Sequence, residues 1–346
     1  MTNMKIQPAS ISQESSLTKP ATPVNAGVVT PVPDSPLFNS TGLISAELQR
    51  FLLTLPRPDR EKADPLTVEM YEKIENGNIA LRELDRYLQE AVFKKNADKF
   101  SYELSGAQPT PEQIELLRKL GFCDEVRVES PGIKFDTAII WGGTLAAVEA
   151  RITSLLEQPV DFSRTVLLGT NTRSLDKGEK THASETEDAM RAFLERCNQK
   201  TRRNFCPERL PTNESEMVAF VWEAMKPSSL EHLPVITIDT PGRSPTDLLA
   251  KYKHVPGTAD TFGYLLLFAK ENKIDLGRRF IAASSEPHIL RQTVDAEYKL
   301  RSVDYPFDVL SGIGRANSSA SITLYLQEIA KLVNTQQRIA TLPSLR

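Results

Sequence analysis

The sequence has few cysteines, no long apolar run and no cluster of basic residues. Three cysteines (Cys123, Cys197 and Cys206) occur in 346 residues, and their odd number and spacing argue against a disulfide framework or a metal motif. No stretch approaches the roughly 18 consecutive apolar residues of a transmembrane helix. The N-terminus lacks the apolar core of a secretory signal peptide. The basic residues are dispersed and the net charge is -3. We therefore expect no membrane span, no export by the general route and no nucleic-acid partner.

The first 43 residues are predicted to form a disordered leader. Residues 1–38 are rich in Ser, Thr, Pro, Gln and Asn, and their scattered hydrophobic residues show no period. Such a segment cannot bury enough apolar surface to offset its ordering entropy. One interpretation is a linker-like tail, in which case we expect the protein in the bacterial cytoplasm. It also resembles the polar, acid-poor leaders of type III secreted bacterial effectors, which implies delivery into a host cell and a host protein as partner.

Residues 44–130 are predicted to form a helical subdomain. Apolar residues recur there at three- and four-residue steps, as in Leu48, Phe51 and Leu52. Ser45 is a suitable N-cap, and Gly77 can close a helix. We interpret this part of the chain as a helical subdomain or lid without catalytic residues of its own.

Residues 131–346 are predicted to form an α/β domain. Short apolar runs at 137–141, 165–169, 235–239, 279–283 and 307–310 alternate with amphipathic stretches, the last of which predicts a closing helix at 319–333. The run at 307–310 comes before Gly312 and Gly314, and a long polar connection precedes the helix that begins near Glu214. Strands that are hydrophobic throughout and alternate with helices indicate a parallel sheet covered on both faces. The predicted fold is a doubly wound, mainly parallel Rossmann-like sheet of about five strands.

Polar residues and glycines follow the predicted strands, where α/β proteins bind ligands. The fourth strand leads through Ser285 into a helix that carries His288 and Arg291. The first strand ends in Gly142, Gly143 and Thr144, with Arg151 in the next helix, and a Gly-Gly turn lets backbone amides approach an anion. The second strand ends in Gly169 and Thr170, with Arg173 nearby.

Other polar residues in this region have simpler interpretations. A solvated loop accounts for Glu185, Glu187 and Asp188, which follow the second strand. Two predicted helices begin with Thr212-Asn213-Glu214-Ser215-Glu216 and Gly257-Thr258-Ala259-Asp260-Thr261. Helix capping alone explains either of these sequences, because short polar side chains and early carboxylates satisfy free amides and complement the helix dipole.

The order of these motifs resembles the SanA/YdcF/ElyC-like family, a bacterial Rossmann-like domain of unknown function. The matching residues, between about 136 and 333, are Gly142, Gly143, Gly169, Ser215, Glu216, Gly257 to Thr261, and Ser285 to Arg291 with His288. The chain departs from the family where Asp260-Thr261 replaces a Glu-Asn pair and where the second Gly of a Ser-Gly-Gly loop is missing. The resemblance implies a cleft for S-adenosylmethionine or a nucleotide.

A convergence of these residues would give a site for an anionic small molecule. His288 is the candidate general acid or base, and Glu216 or Asp260 would orient it, bind a ribose or hold a metal. The candidate ligand-binding residues are Gly142, Gly143, Thr144, Arg151, Gly169, Thr170, Arg173, Thr258, Ser285 and Arg291. We predict a hydrolase or transferase acting on a phosphorylated or nucleotide-like molecule, or a non-catalytic protein that binds a ligand or partner with a degenerate site of this kind.

Overall fold

The computed structural model describes residues 36–57, 65–89, 107–128, 132–170, 173–175, 183–201, 204–240, 257–316 and 320–342. Most of the predicted leader, and with it the secretion-signal prediction, lies outside these ranges. The disorder predicted for its last residues is wrong. Leu37 is fully buried among the N-terminal helices, and Phe38 forms an antiparallel bridge with Ile44. The buried leucine fixes this segment to the helical core.

The helices of the described chain are α1 (Ala46–Leu53), α2 (Pro65–Glu75), α3 (Leu81–Leu88), α4 (Pro111–Lys119), α5 (Leu145–Leu156), α6 (Glu187–Thr201), α7 (Glu214–Met225), α8 (Thr258–Glu271), α9 (Ile289–Ser302) and α10 (Ile322–Ala340). Ser45 is the N-cap of α1, as predicted, and accepts a hydrogen bond from the Leu48 amide. Thr110 starts α4 by forming a capping box with Gln113. None of the described helices has the length and apolar character needed to cross a membrane.

The sheet has five parallel strands in the order β3-β2-β1-β4-β5. The strands are β1 (Lys134–Trp141), β2 (Asp161–Thr170), β3 (Val235–Thr240), β4 (Arg279–Ser285) and β5 (Val309–Arg315). This topology confirms the predicted doubly wound, Rossmann-like α/β fold. The strand order reverses between β1 and β4, which is where such folds open a ligand-binding crevice.

Both faces of the sheet are covered by helices, as the continuous apolar runs predicted. Ala138 and Ile140 of β1 pack in the core that includes α5, α6 and α7. Their neighbours Ile139 and Trp141 point to the other face, into the core with α8 and α9. This alternation follows from the two-residue period of a strand.

Two predicted boundaries are wrong, and one predicted connection contains a helix. The fifth strand, predicted at 307–310, runs through Gly312 and Gly314, where a Cβ would overlap Thr293 Oγ1 and the Ser284 carbonyl oxygen respectively. These glycines permit close packing and do not end the strand. The long polar connection contains α6, which buries only Met190, Phe193 and Cys197. The last helix, predicted at 319–333, continues to Ala340.

The N-terminal helices share a hydrophobic core with the last helix of the α/β region. Leu48 and Phe51 of α1 and Leu84 of α3 belong to the same buried cluster as Ile329 and Val333 of α10. The division at residue 130 stays a prediction about folding units. In the described chain, α10 joins the helical region to the sheet region.

Candidate functional site

The described residues enclose a cavity of about 680 Å³ at the carboxyl ends of β1 and β2. It is bounded by the turn after β1, the starts of α7 and α8, the first turns of α9 and the last turns of α10. Its volume falls within the roughly 300–1,000 Å³ typical of small-molecule sites. The cavity therefore occupies the position that the doubly wound topology favours for a ligand.

Gly142 allows the turn after β1 to lie close to β2. Its amide donates a 2.6 Å hydrogen bond to the Leu168 carbonyl oxygen, and a Cβ at Gly142 would lie 2.7 Å from that same oxygen. Two residues later, Thr144 caps α5 by accepting a hydrogen bond from the Ala147 amide at 3.3 Å. Because Gly143, Thr144 and Ala147 all line the cavity, the positive end of α5 borders it.

Arg151 is a buried cation that contacts only neutral acceptors among the described groups. Its side chain lines the cavity, yet the residue is only 4% exposed. Nη1 donates to the Trp141 carbonyl oxygen at 2.9 Å and to the Gly142 carbonyl oxygen, and Nη2 donates to Ser285 Oγ at 3.2 Å. Nε has no described hydrogen-bond partner. Burial lowers the pKa of Arg151 to about 10, although the charge of Glu214 opposes the shift.

Arg291 differs from Arg151 because carboxylates already balance its charge. Its Nε donates to Glu328 at 2.7 Å, and its Nη1 donates to Asp295 at 2.8 Å and to Thr258 Oγ1 at 2.5 Å. Burial would lower the pKa of Arg291, but Glu328 and Asp295 outweigh burial and raise it. The side chain therefore joins α8, α9 and α10 beside the cavity.

Glu328 is the centre of this network and is fully buried. It also accepts a hydrogen bond from Lys331 Nζ at 2.8 Å. Burial alone would raise the pKa of Glu328, but His288, Arg291 and Lys331 hold it well below its usual range. Glu328 is therefore an anion at neutral pH. The three side chains that contact it all line the cavity.

His288 lines the cavity next to Glu328. Its Nδ1 lies 3.1 Å from Glu328 Oε2 but is not aligned for a hydrogen bond. Burial lowers the pKa of His288, Glu328 opposes this shift, and the charges of Arg151 and Arg291 add to it. The imidazole is therefore neutral at pH 7 and able to accept a proton.

The structure brings together most of the residues predicted from the sequence. Those that line the cavity are Gly142, Gly143, Thr144, Arg151, Gly169, Arg173, Thr258, His288 and Arg291. Ser285 is not among the lining residues, but its Oγ accepts a hydrogen bond from Arg151. Thr170 is buried and donates to the Thr240 carbonyl oxygen at 2.8 Å, so its hydroxyl is directed away from the ligand space.

The catalytic roles predicted for Glu216 and Asp260 are not supported by their positions. The carboxylate of Glu216 accepts hydrogen bonds from Arg209 at 2.9 Å and from the Thr212 amide at 2.9 Å, and it does not line the cavity. Asp260 accepts a hydrogen bond from the Gly257 amide at 3.1 Å, just before the first residue of α8. Both carboxylates serve the starts of their helices, which is the simpler interpretation of those sequences.

Glu185 is also placed differently from the solvated loop predicted for it. It is buried in a short 3-10 turn, whereas Glu187 and Asp188 are exposed in the first turn of α6. Its carboxylate oxygens have no hydrogen-bond partner within the described ranges.

Glu214, which the sequence did not single out, is the carboxylate of α7 that reaches the cavity. Its Oε1 lies 3.1 Å from Arg173 Nη1. Burial raises the pKa of Glu214, although the nearby charges of Arg173 and Arg151 oppose the shift. Glu214 and Glu216 both lie in the first turn of α7, so composition could not distinguish them.

The end of α10 and the residue after α3 also contribute side chains that were missed. Lys331, Asn334 and Arg338 line the cavity from successive turns of α10, and Gln89 lines it from the end of α3. The spacing of three and four residues between Lys331, Asn334 and Arg338 places the three on one face of a helix. A helix predicted to end at 333 leaves Asn334 and Arg338 out of this face.

The lining of the cavity has an excess of positive charge. The described cationic residues are Arg151, Arg173, Arg291, Lys331 and Arg338, whereas the lining carboxylates are Glu214 and Asp295. Even with Glu328 included, cations outnumber carboxylates. A cleft of this kind concentrates anions. Within the described ranges, no group of three or more His, Cys, Asp or Glu residues is arranged to hold a metal ion.

Comparisons with known proteins do not extend these findings. No protein-family model matches the chain, and neither the curated proteins nor the solved structures give a match. The functional argument therefore depends on the geometry and charge of the cavity itself.

Proposed function

We propose that this protein binds an anionic small molecule of the phosphorylated or nucleotide-like class in the cavity at the β1–β4 crevice. The observation that carries the proposal is Arg151, a buried cation facing a cavity with no described carboxylate within ion-pairing distance. A buried charge is costly unless it is compensated. A bound anion would supply that compensation.

The surroundings of Arg151 favour a phosphate over other anions. The N-terminus of α5 adds helix amides and a positive dipole end, a combination that suits phosphate. Arginine presents a planar fork of donors that matches phosphate oxygens. The resemblance to the SanA/YdcF/ElyC-like family supports a nucleotide or S-adenosylmethionine. The positive lining favours the nucleotide, because S-adenosylmethionine carries a cationic sulfonium.

Replacing Arg151 with methionine is expected to weaken the binding of adenosine 5′-monophosphate by roughly 10- to 100-fold, the cost of losing a charge-assisted hydrogen bond pair. Isothermal titration calorimetry on the full chain measures the change. Arg196→Met removes an exposed arginine that pairs with Glu149, and it should leave binding unchanged. Equal affinity in Arg151→Met and the wild type would refute the proposal, provided that thermal unfolding shows both to be folded.

A hydrolase or transferase is the second candidate, and the observation that favours it is the neutral His288 beside the anionic Glu328. A carboxylate next to an imidazole stabilises the imidazolium that forms when the ring accepts a proton. His288 could therefore take a proton from water or from a hydroxyl of the bound molecule. The alternative is a binding protein in which the same pair contributes only charge and shape.

His288→Asn tests the catalytic candidate. It should reduce hydrolysis of p-nitrophenyl phosphate or adenosine 5′-monophosphate about 100-fold, while the affinity for the nucleotide changes less than threefold. In the wild type, the rate should fall as the pH drops through the lowered pKa of His288, because protonation removes the base. Full activity in the variant, or no turnover by the wild type, would leave binding without catalysis.

A further inference from the structure

The cavity extends well beyond Arg151 along the last turns of α10. Lys331, Asn334 and Arg338 face it from successive turns, and they span roughly 10 Å of helix. Lys331 contacts Glu328, the partner of His288. These three side chains of α10 therefore form a polar face that begins beside His288 and ends at Arg338. The guanidinium of Arg338 lies 4.5 Å from the ring centroid of Tyr298. A ligand anchored at Arg151 would have room for a second, polar part.

Two side-chain amides in this extension are held in a fixed orientation by Asp85. Asn334 Nδ2 lies 3.2 and 3.3 Å from the two carboxylate oxygens of Asp85, and Gln89 Nε2 lies 3.2 Å from one of them. An ionised carboxylate only accepts hydrogen bonds, so the amide nitrogens must face Asp85. The amide oxygens of Asn334 and Gln89 then stay available as acceptors, and both residues line the cavity. No described protein group donates to either oxygen.

Amide oxygens at this position would select a ligand group that donates hydrogen bonds. Hydroxyl and ammonium groups both qualify. Lys331 and Arg338 line the same part of the cavity and would repel an ammonium group. Neutral hydroxyls, such as those of a sugar, fit both the acceptors and the positive charge around them.

We propose that Asn334 and Gln89, oriented by Asp85, bind the sugar hydroxyls of a phosphorylated sugar or nucleoside whose phosphate occupies the Arg151 end of the cavity. This inference rests on the proposed function and specifies the other half of its ligand. It also gives the N-terminal helical region a direct role in recognition, because Asp85 and Gln89 belong to α3 and its end. The substrate class is thus defined by an anion at one end and hydroxyls at the other.

The experiment compares three ligands with the full chain by calorimetry. The ligands are inorganic phosphate, pentyl phosphate and ribose 5-phosphate, of which the last two have the same number of carbon atoms but differ in hydroxyls. We expect the wild type to bind ribose 5-phosphate at least tenfold more tightly than pentyl phosphate. Asn334→Ala and Gln89→Met should each reduce this preference by about three- to tenfold, the effect of one hydrogen bond.

The binding of inorganic phosphate and pentyl phosphate should stay unchanged in both variants. Asp85→Asn should also weaken the preference for ribose 5-phosphate, although Asp85 does not line the cavity, because asparagine can no longer fix both amides. If either Asn334→Ala or Gln89→Met fails to fold, the other still tests the inference, since the two residues lie on different helices.

The outcomes separate this inference from the proposed function. A wild type that binds inorganic phosphate but shows no preference for ribose 5-phosphate over pentyl phosphate would overturn the sugar site and leave the anion site standing. A preference that persists in both folded variants would do the same. Failure to bind any of the three ligands would overturn both proposals.

Discussion

Replacement of Glu328 by glutamine is expected to lower the free energy of unfolding by about 3–5 kcal/mol at pH 7, the usual cost of breaking a buried ion pair from one side. Glu328 is fully buried and lies within 3.1 Å of side-chain nitrogens of Arg291, His288 and Lys331. Glutamine keeps the shape but removes the negative charge. The buried guanidinium of Arg291 then pairs with only one carboxylate among the described residues, that of Asp295. Urea unfolding followed by circular dichroism measures the difference.

The loss should depend on pH in a defined direction. Because the pKa of Glu328 is lower in the folded protein than in the unfolded chain, its contribution is present above the ordinary carboxyl pKa of about 4.3. It is lost as the pH falls toward the folded-state pKa. The difference between the wild type and Glu328→Gln should therefore narrow below about pH 4.

Glu297→Gln is the matched control, since Glu297 pairs with Arg301 on the partly exposed surface of α9. Its effect should stay below about 0.5 kcal/mol, as for other helical surface pairs. A loss of less than about 1 kcal/mol in Glu328→Gln would show that the network does not stabilise the junction between α9 and α10.

The sheet was predictable from the sequence because its strands are buried on both faces. Continuous apolar runs such as 137–141 and 279–283 have few other interpretations in a chain that alternates them with amphipathic helices. The end of β5 was predicted too early because Gly312 and Gly314 follow the apolar run. The sequence alone does not distinguish a glycine that permits close packing from one that ends a strand. Leu37 was missed because a single hydrophobic residue in a polar segment does not show a period.

The candidate site was predictable only in part, for geometric reasons. Gly142, Gly143 and Arg151 follow a strand directly, so topology alone places them at the cleft. Glu214 and Glu216 lie two residues apart, and a helix rotates roughly 200° over that step, which turns one toward the cavity and the other away. Asn334 and Gln89 approach the cavity only because α10 packs against α3, a tertiary contact without a local signal.

A buried carboxyl group close to the site, Glu286, has the opposite character to Glu328. It lies between β4 and α9, two residues before His288, and is 1% exposed. Neither of its oxygens has a described hydrogen-bond partner, and the nearby Cys123 amide is not aligned for one. Burial raises the pKa of Glu286 to about 8, and the charges of Asp124 and Glu328 add to the shift. The carboxyl is therefore largely protonated at neutral pH.

Glu286→Gln is expected to remove a decline in stability that the wild type shows between about pH 5 and pH 9. Over this range the folded protein keeps a proton that the unfolded chain has released, so rising pH favours unfolding. A pKa raised from 4.5 to about 8 makes the stability advantage of the variant over the wild type grow by about 4 kcal/mol between pH 5 and pH 9. Urea unfolding at successive pH values measures this divergence.

Glu157→Gln is the control for this comparison, because Glu157 is an exposed carboxylate that pairs with Arg315 at 2.6 Å. Its effect should stay below about 1 kcal/mol and should not grow with pH. Parallel stability curves for the wild type and Glu286→Gln would mean that water or another group compensates the Glu286 carboxylate. Diverging curves would show that Glu286 is a neutral carboxyl group in the folded protein, so that it adds no negative charge beside the positively charged lining of the cavity.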